Sequence, residues 1–137
     1  MERKEIIRNA VREHYGLIAE KNQSNDSCGC GVSCCSPGAV SFEEISLNLG
    51  YKATDFEQMP QGANMGLGCG NPRAIASLKE GETVLDLGSG GGFDAFLAAR
   101  EVGESGKVIG VDMTPSMISL SRENAEKGKF TQVEFRL

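Results

Sequence analysis

The residues best able to do unusual chemistry are five cysteines, four of them crowded into eight positions: Cys28, Cys30, Cys34 and Cys35, with Cys69 further along. Thiolates are nucleophiles and soft ligands. Three uses of such a cluster are open. The plainest is a surface loop whose thiols oxidise or pick up metal incidentally. A second is structural zinc, which pairs one C-x₂₋₄-C knuckle with another; Cys30 to Cys34 has that spacing, but no second knuckle follows. The third is capture of a soft ion or metalloid, for which several thiolates together are the preferred donors. Spacing alone does not choose among them. His14, the sole histidine, falls on the apolar stripe of a predicted helix and reads as structural.

A second chemical group is a pair of acids around a glycine turn. Val84, Leu85 and Leu87 make a short apolar run that suits a strand buried on both faces. Asp86 lies near its end, and Gly88, Gly90, Gly91 and Gly92 follow. From Gly92 the apolar positions recur at helical steps: Phe93, Phe96, Leu97. Strand, glycine turn and helix form the opening unit of a nucleotide-binding α/β fold, in which backbone N–H groups at the helix start are expected to meet the ligand. The dinucleotide spacing G-x-G-x-x-G is not met, because Phe93 stands where its third glycine would be. Asp86 would repel a pyrophosphate and favour an ammonium or sulfonium group; S-adenosylmethionine carries both. Lys107 to Val111 then reads as a second strand ending in Asp112, a carboxylate placed to accept ribose hydroxyls.

The elements that must position these groups can be read in order. Glu2 to Glu20 patterns as an amphipathic helix, with Ile6, Ile7, Ala10, Val11, His14 and Ile18 on one stripe. Asn22 to Gly38 is a polar, glycine-bearing loop that holds the clustered thiols. Ser41 and Glu44 form a capping box for a short helix stopped by Gly50, and Thr54 to Met59 suggests one further turn before Pro60. Gly62 to Pro72 is a glycine-punctuated loop carrying Cys69. Asn71 is an N-cap candidate, with Pro72 opening a helix to Leu78. Beyond Asp112, Thr114 is expected to cap a helix beginning at Pro115 and ending at Gly128. Thr131 to Leu137 alternates like a strand and predicts an exposed sheet edge.

These motifs together carry a resemblance. The glycine turn and its flanking acids resemble class I S-adenosylmethionine-dependent methyltransferases. Tyr15-Gly16, the cysteine-rich loop, Gly66-Leu-Gly68-Cys69-Gly70-Asn71-Pro72, the run Val84 to Gly92 and Val108 to Pro115 stand in the order seen in arsenite methyltransferases. The resemblance covers essentially the whole chain, and the Gly66–Pro72 segment beside a thiol-rich loop is its most specific part.

The resemblance implies a partial Rossmann-like α/β fold, with about three parallel strands and flanking helices, preceded by N-terminal helices and the cysteine-rich loop. Residues 1–80 would form the helical region and 81–137 the first half of the cofactor-binding sheet, within one domain. A sheet of this class normally has seven strands, so the chain reads as truncated and inactive alone, lacking later family cysteines.

The implied reaction is attack of the lone pair of thiol-bound trivalent arsenic on a sulfonium methyl. No general base on arsenic is needed, so positioning is the protein's main task. The implied cofactor residues are Asp86, Gly88, Ser89, Gly90, Asp112 and Met113, the last packing on adenine. Cys69 and Cys30 are the implied catalytic thiols, and Cys30, Cys34, Cys35 and Cys69 the arsenic ligands. Substrate would be arsenite or thiol-conjugated arsenic, with a small thiol or thioredoxin-type protein as reductant.

Composition sets the bounds. Lys+Arg 14 against Asp+Glu 19 gives a net charge of −5, which argues against a nucleic-acid partner. No apolar run reaches membrane-spanning length, and the charged start at Met1 to Lys4 lacks a secretion signal's apolar stretch. An odd, crowded cysteine set suits a reducing cytoplasm better than a disulfide framework. Two other functions remain open on sequence: methyl transfer to carbon or oxygen of a small molecule, and a thiol-rich metal- or metalloid-binding module.

Overall fold

The computed structural model describes residues 2–23, 41–57, 59–68, 70–72 and 76–137. Among these residues eight elements follow in order: α1 (Glu2–Gln23), α2 (Phe42–Asn48), α3 (Ala53–Phe56), β1 (Thr83–Leu87), α4 (Phe93–Val102), β2 (Lys107–Val111), α5 (Pro115–Gly128) and β3 (Val133–Arg136). The strands form one parallel sheet in the order β1-β2-β3. Parallel neighbours require crossover connections, and α4 and α5 supply them.

Register sorts the side chains onto two faces. Val84, Val108 and Val133 align on one face, as do Asp86, Gly110 and Phe135. Both helices pack there, and Ala95, Phe96, Ala99 and Val102 of α4 join Ile118 of α5, Val108 and Phe135 in one buried core. Phe96 stacks on Phe130 at 4.6 Å between ring centroids and meets Phe135 edge-on at 5.6 Å. Burying a ring of this kind stabilises by about 1.5–3 kcal/mol.

The opposite face differs from the expectation of a doubly buried strand. Leu85 and Leu87 are 59% and 74% exposed, because no described element covers that side of β1. They align with Ile109 and Val111 of β2. Further across, Glu134 of β3 bonds Arg136 at 2.8 Å and Lys107 at 3.0 Å. Those hydrogen bonds, first from Arg136 and then from Lys107, pull the Glu134 carboxyl down to about 2. The sheet thus has two open edges among the described residues, β1 as well as the expected β3. At β3 the Arg122 guanidinium donates to the Phe135 carbonyl at 2.8 and 3.2 Å, which satisfies one group of that edge.

Other elements depart from expectation in instructive ways. α1 runs on to Gln23, and its stripe is covered only toward its C-terminal end. Ile18 and Ala19 pack with Met65, Met117 and Leu120, while Ile6, Ile7 and His14 are exposed. The capping box of α2 forms as read: Glu44 N–H donates to Ser41 Oγ, and Ser41 N–H donates to the Glu44 carboxylate. Thr114 occupies the N-cap position of α5, but its side chain is buried and makes no cap bond. The turn is tied instead by Thr114 N–H donating to Asp112 Oδ1 at 2.8 Å. Asn71 Nδ2 donates to the Gly50 carbonyl at 3.0 Å. Residues 73–75 of the helix expected after Pro72 lie outside the described residues, although Ala76 N–H bonds the Pro72 carbonyl as a helix would.

Candidate functional site

The C-terminal ends of β1 and β2 open into a cleft of about 910 Å³, within the usual range for small-molecule sites. All six residues expected to hold a cofactor line it: Asp86, Gly88, Ser89, Gly90, Asp112 and Met113. The thiols Cys28, Cys30, Cys34, Cys35 and Cys69 lie outside the described residues. Gly68 and Gly70, the neighbours of position 69, also line the cleft.

Two glycines make the floor possible. Gly92 starts α4 at φ 94°, a left-handed conformation that costs other residues strain. A Cβ there would lie 2.8 Å from both Phe135 and Phe96. At Gly110 a Cβ would meet Phe135 at 2.5 Å and Ser89 Oγ at 2.9 Å. Its missing side chain lets the turn and β3 close over the sheet beside Asp86.

Three N–H groups of the turn are already bonded within the protein. Gly88 and Ser89 N–H groups both donate to the Val111 carbonyl, at 2.7 and 3.1 Å. Gly90 N–H donates to Asp112 Oδ2 at 3.0 Å. These donors tie the turn to β2 and do not face a ligand. Ser89 and Gly91 carbonyls accept from Gly92 N–H and from Asn124 Nδ2. Gly88 and Gly90 line the cleft beside the carboxylates of Asp86 and Asp112.

Asp86 sets the electrostatics. Burial, and then the charges of Asp94 and Asp112, push its carboxyl up from 3.8 to about 6. Among the described residues, buried Asp86 Oδ2, Ser89 Oγ and Asn64 Nδ2 have no hydrogen-bond partner. An orphaned buried carboxylate oxygen costs free energy that a cationic ligand would recover. Such a cleft fits the ammonium and sulfonium of S-adenosylmethionine and disfavours a pyrophosphate. Asp112 spends one lone pair of each oxygen on Gly90 and Thr114; each oxygen keeps a second for a hydroxyl.

Several residues in or supporting the site were not read from sequence. Asp94, in the first turn of α4, is near enough for its charge to raise Asp86; its position just after the glycine turn was an available signal. Asn124, fully buried on α5, holds the Gly91 carbonyl at 3.0 Å. Tyr51, Asn64 and Met65 come from the segment between α2 and β1, and only tertiary packing brings them here.

A parallel sheet, crossover helices and an acid-flanked glycine turn at the strand ends define a class I methyltransferase domain, and residues 78–137 match the family described as "Methyltransferase domain". Residues 78–137 hold three parallel strands with flanking helices, the arrangement of a Rossmann-like methyltransferase fold. The chain is similar to arsenite methyltransferases. It is 53% identical over 138 residues to the arsenite methyltransferase of Halobacterium salinarum, covering 97% of this chain and 35% of that protein. It is 29% identical over 131 residues to the arsenite methyltransferase of Aquipseudomonas alcaligenes, covering 93% and 34%. The crystal structure of an arsenic (III) S-adenosylmethionine methyltransferase from Chlamydomonas reinhardtii aligns with a TM-score of 0.45 at 35% identity, over 66% of this chain and 30% of that one. The chain spans about a third of the length of the curated relatives it matches.

Proposed function

We propose that this chain is the cofactor-binding part of an arsenite methyltransferase, with S-adenosylmethionine held in the cleft and trivalent arsenic as methyl acceptor. The observation that carries the cofactor assignment is the orphaned Asp86 carboxylate oxygen beside a turn whose Gly88, Ser89 and Gly90 N–H groups are already bonded. When bound, the cofactor supplies an electrophilic methyl group on a sulfonium. Asp86 and the Gly88 and Gly90 carbonyls would hold its cationic end, Asp112 its ribose hydroxyls, and Met113 its base. Ser89 Oγ, buried without a partner, is a further polar group for the amino-acid portion.

The acceptor side rests on likeness to the named relatives. Cys69 follows Gly68 at the cleft wall and would present arsenic as a thiolate adduct. A thiol of the Cys28–Cys35 segment would be its partner, Cys30 first and Cys34 or Cys35 next. Because thiolate-bound trivalent arsenic keeps its own lone pair, the protein need only place acceptor and cofactor in line. Arsenite or thiol-conjugated arsenic would enter, with a small thiol or thioredoxin-type protein keeping the cysteines reduced. A cytoplasmic setting suits that chemistry; among the described residues no helix is long and apolar enough to cross a membrane.

Calorimetric titration with S-adenosylmethionine, and separately with arsenite under reducing conditions, tests both halves. Asp112→Ala should weaken cofactor binding by about 1–3 kcal/mol, the loss typical of a charge-assisted hydrogen bond. Equal binding by both proteins overturns the Asp112 assignment. Zinc binding without cofactor binding points instead to a metal-binding module.

A further inference from the structure

Tyr51 is buried, 5% exposed, and joins three segments far apart in sequence. Its ring meets Phe93 edge-on at 5.3 Å, and Phe93 in turn stacks on Phe56. Its hydroxyl lies 2.6 Å from Asp94 Oδ1 and 2.9 Å from the Gly70 carbonyl. Asp94 is the first-turn acid of α4 whose charge reaches Asp86 in the cofactor cleft. Gly70 directly follows position 69 in the loop placed beside the methyl acceptor. The same loop is tied to Gly50 by Asn71.

A phenol has one proton to donate, and two acceptors compete for it here. The carboxylate takes it, being charged and closer. The Gly70 carbonyl then faces an oxygen lone pair and gains no hydrogen bond from Tyr51. A cation arriving in the cleft would reduce the demand of Asp94 for that proton. The hydroxyl can then rotate about its C–O bond and donate to Gly70; no covalent bond breaks, and Asp94 stays a carboxylate.

We infer that Tyr51 is a positioning residue that couples the two halves of the site: cofactor occupancy frees its hydroxyl to fasten the Gly66–Pro72 loop. The inference rests on the reading of the cleft as an S-adenosylmethionine site. Coupling of this kind is reciprocal, so a fastened loop also favours the cofactor, and the acceptor site tightens only when a methyl donor is present.

Hydrogen–deuterium exchange of residues 66–72, with and without saturating S-adenosylmethionine, tests it on the chain itself. In the wild type the ligand should slow loop exchange about five- to tenfold, the lower range of typical couplings. Tyr51→Phe keeps the ring and its packing on Phe93 but deletes the hydroxyl, and the ligand should then slow exchange less than about twofold. A purely structural role would lower the melting temperature without changing the ligand's effect on the loop. Equal protection in wild type and Tyr51→Phe overturns the inference. Asp94→Asn provides an independent arm should Tyr51→Phe fail to fold. Its neutral side chain should leave the loop protected before ligand is added, and wild-type behaviour in this variant overturns the inference. Absence of S-adenosylmethionine binding to the wild type, seen by calorimetry, overturns the cofactor reading instead.

Discussion

Asp86 faces opposing demands, since burial disfavours its charge while a cationic ligand would need it. Its folded carboxyl titrates at about 6, against 3.8 in an ordinary setting. Between those values the folded state holds a proton that the unfolded state has released, so stability falls as pH rises through that window. Below about 4 and above about 6 this contribution is flat. Asp86→Asn should therefore stabilise the ligand-free protein at pH 7 by about 1–3 kcal/mol, the shift discounted for partial exposure. Cofactor affinity should fall in the same variant. Chemical denaturation at pH 4, 5, 6 and 7, paired with calorimetry, checks both; a variant less stable than wild type at pH 7 would contradict this account. Wild-type affinity for S-adenosylmethionine should in turn rise with a midpoint near pH 6, as Asp86 ionises.

At the scale of elements, the ends of helices carry the sharpest consequences. Gly92 opens α4 at φ 94° against two phenyl rings. Gly92→Ala should cost about 2 kcal/mol or more, combining left-handed strain with overpacking, and circular dichroism melting would register it. The other end of the crossover pattern offers the reverse. α5 terminates with Lys129 at φ 57°, a conformation in which glycine pays no Cβ penalty. Lys129→Gly should raise stability by about 0.5–1 kcal/mol if the backbone bonds to Ala125 and Glu126 carbonyls persist. A drop in melting temperature would show that the lysine stem packs usefully there.

At the scale of the whole molecule, the described residues finish the sheet on one face only. α4 and α5 cover the face bearing Val84, Asp86 and Phe135, while Leu85 and Leu87 stand exposed beside the unpaired edge of β1. An open edge flanked by apolar side chains templates pairing with another chain. The chain should therefore self-associate with rising concentration, and Leu87→Lys should reduce this without lowering the melting temperature. Sedimentation velocity over a concentration series decides it; unchanged association would remove Leu87 from the contact surface.

The order of elements was legible from sequence because each rests on local rules. The Ser41–Glu44 capping box, the apolar period of α4, Pro115 at the start of α5 and the acids at the two strand ends all act over a few residues. The cofactor candidates likewise follow from residue type and spacing around one turn. Other features required the fold. Leu85 and Leu87 look like core by composition, but burial depends on what lies across the sheet. The Gly88, Ser89 and Gly90 N–H groups would suit an anion in isolation, yet the Val111 carbonyl and the Asp112 carboxylate claim them beside the β1–β2 pairing. Tyr51, 43 residues from Asp94, carries no local signal of partnership at all. Sequence specified which charges flank the glycine turn. Tertiary structure decided which hydrogen-bonding groups remain for a ligand, because each donor bonds the nearest acceptor that packing supplies.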